Sequence, residues 1–359
     1  MITHFDNSRW PGVINAYEDW WTDKLDRPLF NIQIYGAEPD IEKPEGEILP
    51  ALFYYDFDIP ADVIIKHAEY SLCSRKYLCD AYPSYLPDFG AGVNAGFQGA
   101  AFSVGAGTVW YGPDGANDME TFHIAHRPES ALYQKIMEIY EKADAYFGGD
   151  IVLGMTHLNN GIDIPARFFG ADEFCTALYD KPEHVERLVW ENHSNFIRYV
   201  DMISAAMKRN RGFTCSGGIL ALEPWMGLQS DFSVMINTNL FKRFVLPELA
   251  ECCRVFPKYN FYHIDGREQL HHLDTLLEIP QLQVLQFQRG VDRRPEREWM
   301  HVFKKIRDAG KKIWYTGTEE GMNSLADALG SLRGVYWQTD YDIRDEDEAH
   351  KAVESFVKS

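Results

Sequence analysis

The sequence predicts an α/β protein, specifically a (β/α)8 TIM barrel with an N-terminal α-rich extension. The first observation is a series of strand endings at 262–266, 286–290, 314–318 and 336–340, each closing an apolar stretch and preceding a helical pattern. Repeated βα units of this kind predict a parallel sheet. The second observation is size, because 359 residues, 45% of them apolar, exceed the roughly 250 residues typical of such a barrel.

The N-terminal third carries the extension and the first barrel elements. Helical periodicity over 8–25 precedes a predicted strand at 28–35, and Asp58-Ile59-Pro60 opens a helix that we expect to reach about Cys79. Residues 81–118 are rich in Gly, Tyr and Phe and lack helical periodicity, so we interpret them as a strand with a functional wrap over the barrel mouth.

The remaining chain alternates between helical and strand patterns. Predicted helices cover 128–147, 171–179, 182–209, 237–255 (interrupted near Pro247), 268–278, 296–309, 321–331 and 345–357. Predicted strands cover 150–155, 212–216, 259–264, 283–288, 312–316 and 334–339, with a long loop over 217–231. Because no Pro/Gly/Ser-rich linker divides the chain, we expect a single domain over 1–359, with 1–95 as the extension and first elements and 96–359 as the barrel core.

Composition excludes several classes of partner. The formal net charge is −19, and no basic patch offers a nucleic-acid surface or an anionic-membrane surface. No window of 18 apolar residues predicts a membrane span, and the N-terminus does not resemble a signal peptide. Six cysteines without a CxxC pair suit a cytoplasmic protein with reduced thiols.

His263 and Asp265 are the first candidate site residues. Side chains two apart on a strand face the same way, so imidazole and carboxylate are expected to point together into the barrel mouth. They could ligate a divalent metal, zinc or a harder ion, with Glu319 as a third ligand. They could instead act as an acid/base pair, or simply cap the next helix. Glu319 equally suits the first turn of a helix, where its negative charge would interact favourably with the helix dipole.

The other candidates follow a predicted strand or lie in a long loop. His157 and Asn159 share a face if their strand persists, although the segment also suits an Asx-rich turn. Glu223, Trp225 and Asp231 occupy the 217–231 loop, which reads either as a water-excluding lid or as an ordinary surface loop. An aromatic set comprising Trp110, Trp225, Tyr262, Tyr315 and Trp337 could wall a ligand, or pack in the core.

From these candidates we expect Trp110, His157, Asn159, Trp225, Asp231, Gln288 and Tyr315 to bind substrate, with His263, Asp265 and Glu223 as catalytic residues. No Walker A motif and no GxGxxG between a strand and a helix is present, so a nucleotide cofactor is not expected.

Several short blocks carry a family resemblance. They are Ile164-Pro165-Ala166 with 169–173, the segment 179–183, the segments 230–233 and 244–247, and His263-Ile264-Asp265-Gly266. In their order and spacing, over about residues 100–345, the chain resembles the uroporphyrinogen decarboxylase superfamily. This superfamily of TIM barrels also holds cobalamin-dependent methyltransferases.

The resemblance implies methyl transfer more than porphyrinogen decarboxylation. True decarboxylases carry an Arg-rich N-terminal segment, which is missing here, where Arg9, Arg27 and Arg75 are scattered. The methyltransferases resemble the chain more closely, but they hold zinc through a His-x-Cys pair and a later Cys. In this chain Asp265 takes the place of the Cys in that pair, and no Cys follows the later strand. Because carboxylates prefer harder metals than thiolates do, the resemblance implies a harder metal or none.

We therefore expect methyl transfer or demethylation of a small molecule, with a corrinoid carried by a partner protein. One alternative is a cofactor-independent decarboxylase or lyase acting on a compact polar substrate. Another is a non-catalytic small-molecule-binding protein on the same scaffold. The sequence leaves a homodimer open as the assembly.

Overall fold

The computed structural model describes residues 2–46, 55–105, 108–215 and 218–357 of the chain. Its α-helices are α1 Trp10–Trp21, α2 Ala61–Cys73, α3 Val93–Phe97, α4 Ala131–Phe147, α5 Asp163–Phe169, α6 Ala171–Asp180, α7 Pro182–Ala206, α8 Thr238–Phe244, α9 Leu246–Val255, α10 Leu273–Leu277, α11 Met300–Asp308, α12 Glu319–Leu329 and α13 Glu346–Phe356. Its strands are β1 Leu29–Tyr35, β2 Arg75–Cys79, β3 Ser84–Tyr85, β4 Ala101–Gly105, β5 Thr108–Gly112, β6 Val152–Leu153, β7 Gly227–Gln229, β8 Phe261–Asp265, β9 Val284–Gln288, β10 Lys312–Thr316 and β11 Val335–Asp342.

The main sheet is mostly parallel. Its strands follow the order β2-β1-β11-β10-β9-β8-β7, and only the β1–β2 pair is antiparallel. A separate parallel pair joins β3 to β6, and beyond β6 a single parallel bridge joins Met155 to Cys215. The chain is thus a mixed α/β protein with a mostly parallel sheet. Among the described residues these ladders do not form a continuous ring, so barrel closure stays a prediction.

The sequence located most elements correctly. Strands β8 to β11 and the helices between them lie where the βα pattern predicted, and the 237–255 helix divides at Val245 into α8 and α9. The prediction that one helix runs to Cys79 was wrong. The helix α2 ends at Cys73, and β2 pairs with the edge of β1, because sheet pairing outweighs the weak helical pattern there. No described helix has both the length and the apolar character needed to cross a bilayer.

An aromatic layer fills the sheet at the N-terminal side of the polar strand ends. Phe261, Trp314 and Tyr336 lie on one face of β8, β10 and β11. The ring centroids of Phe261 and Trp314 are 4.7 Å apart, and those of Trp314 and Tyr336 are 5.4 Å apart. From α1, Trp20 packs on Tyr336 at 6.2 Å, and Tyr17 does so at 6.3 Å. The N-terminal helix therefore covers this aromatic layer, which removes its apolar area from water.

An antiparallel hairpin of β4 and β5 extends from the region that the sequence predicted to wrap over the mouth. Tyr111 of β5 is buried, whereas Trp110 on the other face of the same strand is 61% exposed. Alternation along a strand explains the difference, since neighbouring side chains point to opposite faces.

A buried ion pair fixes the start of β1 against the chain that follows β2. Arg27 donates two hydrogen bonds to the Asp80 carboxylate, at 2.6 Å and 2.8 Å, and the backbone N–H of Phe30 donates a third at 3.0 Å. Asp80 is 5% exposed, so few waters can replace these partners. A two-pronged guanidinium contact of this kind sets geometry as well as charge.

We predict that Asp80→Ala lowers the free energy of unfolding by about 2–4 kcal/mol, because it leaves Arg27 and the Phe30 N–H without an acceptor. Thermal or urea unfolding would measure the loss. Asp26→Ala is the control, since the Asp26 side chain is 90% exposed and its change should stay within about 0.5 kcal/mol. Equal losses in both variants would contradict the structural role of the pair.

Candidate active site

A polar row lies at the C-terminal ends of three adjacent parallel strands. The register pairs Gln229 with His263 and His263 with Gln286, so the three side chains lie side by side on one face of β7, β8 and β9. This is the face that carries Phe261 and Trp314, and the register places Trp314 beside Gln286, so the aromatic layer adjoins the polar row.

Hydrogen bonds hold the polar row in one orientation. His263 donates from Nδ1 to Gln286 Oε1 at 2.7 Å, and Gln286 donates from Nε2 to Thr316 Oγ1 at 3.2 Å. This contact assigns the Nδ1–H tautomer to neutral His263. Its Nε2 is left with no hydrogen bond to another described residue, so it can accept a proton or, when protonated, donate one.

Asp231 lies beside this row, between two histidines. Gln229 links His157 to Asp231: His157 Nε2 donates to Gln229 Oε1 at 3.1 Å, and Gln229 Nε2 donates to Asp231 Oδ2 at 3.2 Å. Burial raises the pKa of the Asp231 carboxyl; His263 and His157 oppose this, whereas the charge of Asp265 adds to it. A carboxyl group with a raised pKa keeps its proton closer to neutral pH.

Asp163 positions the segment that carries Asp231. Its carboxylate accepts the backbone N–H of Asp231 at 2.8 Å and that of Phe232 at 3.0 Å, at the start of a 3-10 helix over Asp231–Met235. Asn159 donates to the same carboxylate at 3.3 Å. Burial and the nearby charge of Asp231 raise the pKa of Asp163 to about 7, although the two backbone hydrogen bonds act to lower it.

Two cavities open at this end of the sheet. One of about 400 Å³ is lined by strand-end residues that include Gln286, Gln288 and Thr316. The other, of about 270 Å³, is lined by Asp163, Arg167, Asp231 and apolar side chains of β5 and the 3-10 helix. Concave sites with a few convergent polar groups are the usual places for small-molecule binding.

The placement of two predicted loop residues corrects the sequence interpretation. Glu223 pairs with Lys258, which lies just before the start of β8, and therefore at the opposite end of the strand from His263. Trp225 is fully buried and packs on Phe261, the first residue of β8, at 5.8 Å. The loop turns toward the N-terminal strand ends, so neither the catalytic role of Glu223 nor the substrate-binding role of Trp225 fits this geometry.

Four other predicted binding residues occupy different surroundings. Tyr315 packs on Phe303 of α11 and donates to Glu296, so it faces the outer helices. Trp110 lies on the exposed face of the hairpin. Asn159 is buried and supports Asp163, whereas Gln288 lines the 400 Å³ cavity, and its role in substrate binding stays a prediction. Within the aromatic set, Tyr262 and Trp337 are core residues, at 1% and 0% exposure.

The predicted metal ligands do not assemble into a three-residue site. Asp265 is exposed on the face of His263, and Glu319 is exposed at the first residue of α12. In the described part of the chain, the possible ligand atoms of His263, Asp265 and Glu319 do not all lie within 4.8 Å of one another. The metal therefore stays a prediction.

Elsewhere, three buried side chains do bring their possible ligand atoms within 4.8 Å of one another. His193 of α7 approaches Glu248 of α9 at 2.9 Å, and Cys252 donates to the same carboxylate oxygen at 2.9 Å. Asn160 donates to the other oxygen at 2.9 Å. These donors satisfy the buried carboxylate without an ion, so hydrogen bonding alone accounts for the group.

The sequence interpretation missed several residues that the structure brings to the site. They are Asp163, Arg167, Gln229 and Gln286. A signal was present for two of them, since Gln229 ends β7 and Gln286 lies within β9, where polar and apolar side chains alternate from Leu285 to Gln288. Asp163 and Arg167 lie on α5, and nothing local indicates which of its faces meets the site.

We predict that Glu248→Ala costs about 3 kcal/mol in the free energy of unfolding, because it leaves Asn160 and His193 without their acceptor. Cys252→Ser should cost less than Cys253→Ser, since only the hydroxyl at 252 gains an acceptor in Glu248. Urea unfolding with elemental analysis provides the test. A stoichiometric metal that disappears in Glu248→Ala would contradict the hydrogen-bonding account.

A second prediction concerns pH. Burial lowers the pKa of His157 below its ordinary value of 6.5, so the folded state favours the neutral ring. Its contribution to stability is present above that value and is lost as pH falls below it. Between about pH 7 and pH 5 the unfolding midpoint should fall more steeply in the wild type than in His157→Gln. His301→Gln, at an exposed position, should keep the wild-type slope; parallel curves for the wild type and His157→Gln would contradict the prediction.

Comparisons with known proteins support the fold. No protein-family model matches the sequence, and no curated protein matches it. Among solved structures, a methyltransferase from Methanosarcina mazei superposes with a TM-score of 0.64 at 10% sequence identity. The match covers 96% of this chain and 98% of that one. The chain therefore has a methyltransferase-like fold.

Proposed function

We propose that the protein is a methyltransferase of the uroporphyrinogen decarboxylase superfamily that demethylates a small molecule with a corrinoid-carrying partner protein. The observation that carries the proposal is the convergence of Asp231, His263 and His157 at the cavity end of the sheet. The likeness of the fold to a methyltransferase is consistent with it. We also propose that the parallel strands complete an eight-stranded barrel; the Met155–Cys215 bridge beyond β6 supports this.

The proposed chemistry depends on one proton. Breaking a methyl–heteroatom bond leaves the electron pair on the heteroatom, which needs a proton to become a stable alcohol, amine or thiol. A reduced corrinoid on the partner would accept the methyl group. Asp231 fits the role of proton donor, because burial raises its pKa and Gln229 fixes its orientation.

His263 is the second group with a role. Its Nδ1 is committed to Gln286, so Nε2 can hold a hydrogen bond to the heteroatom or pass a proton to Asp231. Burial lowers the pKa of His157, which favours its neutral form, and through Gln229 it orients the acid.

Methyl exchange from a panel of methyl ethers, methylamines and methyl thioethers to a reduced corrinoid protein tests the proposal. Asp231→Asn and His263→Ala should each lower the exchange rate by about 10²-fold or more, since each removes a group that handles the proton. His350→Ala, at an exposed position on α13, should keep the wild-type rate.

Two outcomes would reject the proposal. The first is no exchange with any member of the panel, and the second is full activity in both site variants. Turnover of a carboxylic acid to carbon dioxide without corrinoid would favour the alternative of a cofactor-independent decarboxylase.

A further inference from the structure

Arg167 lies beside the proposed reacting groups and has no ion-pair partner within the part of the chain that the structure describes. It lies on α5, is half-buried, and lines the 270 Å³ cavity together with Asp231. Its guanidinium forms no hydrogen bond, and no carboxylate within 4 Å pairs with it, among the described residues. Five N–H donors thus remain available at one side of a cavity.

The neighbouring carboxylates do not use these donors. The charge of Arg167 lowers the pKa values of Asp163 and Asp231, but its effect is the smallest of the causes for either carboxyl group. The Asp163 oxygens accept two backbone N–H groups and the Asn159 amide. Asp231 accepts from Gln229. Arg167 therefore offsets their charge at a distance and keeps its own hydrogen-bonding capacity.

Apart from Asp163, Arg167 and Asp231, the cavity is lined mostly by apolar groups. Tyr111 and Pro113 from the hairpin side, with Phe232 and Met235 from the 3-10 helix, supply the apolar walls. Its volume of about 270 Å³ is near the lower limit of ligand pockets, which suits a compact molecule. Such a molecule would need an anionic group for Arg167, apolar surface for the walls, and its reacting group near Asp231.

We infer that Arg167 binds a carboxylate of the substrate, so that the methyl donor is a small carboxylic acid. This rests on the proposed function, which places the reacting end at Asp231. The planar guanidinium matches a carboxylate through two parallel N–H···O bonds. A dianion such as phosphate would meet more repulsion from Asp163, Asp231 and a chain of net charge −19, so a monoanion fits better.

Calorimetric binding tests the inference without requiring turnover. The probes are methoxyacetate and para-methoxybenzoate, each compared with its primary amide, and inorganic phosphate. The wild type should bind at least one carboxylate about tenfold or more tightly than the matched amide, and phosphate more weakly. Arg167→Gln should abolish that preference. Arg167→Lys should keep part of it, because it retains the charge but loses the planar fork.

Arg198→Gln is the matched control, since Arg198 is an exposed arginine on α7 outside the cavity, and it should keep the wild-type preference. Unfolding midpoints would confirm that all variants are folded. Equal affinity for carboxylates and amides, no binding of any carboxylate at about 10 mM, or a preference that survives Arg167→Gln would each overturn the inference. Methyl exchange with neutral substrates alone would support the proposed function and reject carboxylate binding by Arg167. A carboxylate preference without methyl exchange would support carboxylate binding by Arg167 and reject the proposed function.

Discussion

The parallel register of β7, β8 and β9 is the constraint on which the candidate site depends. It places Gln229, His263 and Gln286 in one row at the cavity end of the sheet. Because side chains alternate along a strand, a slip of one residue would turn His263 toward the helices and bring Tyr262 or Ile264 to the cavity. Those two residues are buried on the other face, so the packing of the outer helices stabilises the register that the site requires.

The aromatic layer gives this row its chemical character. Aromatic packing on α1 fills the N-terminal side of the sheet, and the polar groups lie immediately beyond it. Burial then disfavours charge on both sides of the acid–base set: it raises the pKa of Asp231 and lowers that of His157. The raised pKa of the acid and the lowered pKa of the histidine follow from one cause, which is the loss of water around both.

The sequence predicted elements with strong local patterns, and it failed where distant contacts decide. His263 and Asp265 could be placed together because a strand fixes the direction of side chains two apart. Residues 75–79 were assigned to a helix because nothing local reveals the open edge of β1 that pairs with them. Glu223 and Trp225 were assigned to the cavity because a loop pattern does not indicate toward which end of a strand the loop turns.

By itself, the sequence determined the alternation of strands and helices from β8 onward, the acidic character of the chain and the strand end that carries His263 and Asp265. These properties follow from composition and from periodicities of two and 3.6 residues, which act over short stretches of chain. Only the tertiary structure decided that α5 brings Asp163 and Arg167 to Asp231, and that Glu223 lies at the far end of β8. Such convergence depends on helix packing and strand register between residues far apart in the chain, and no local pattern records those contacts.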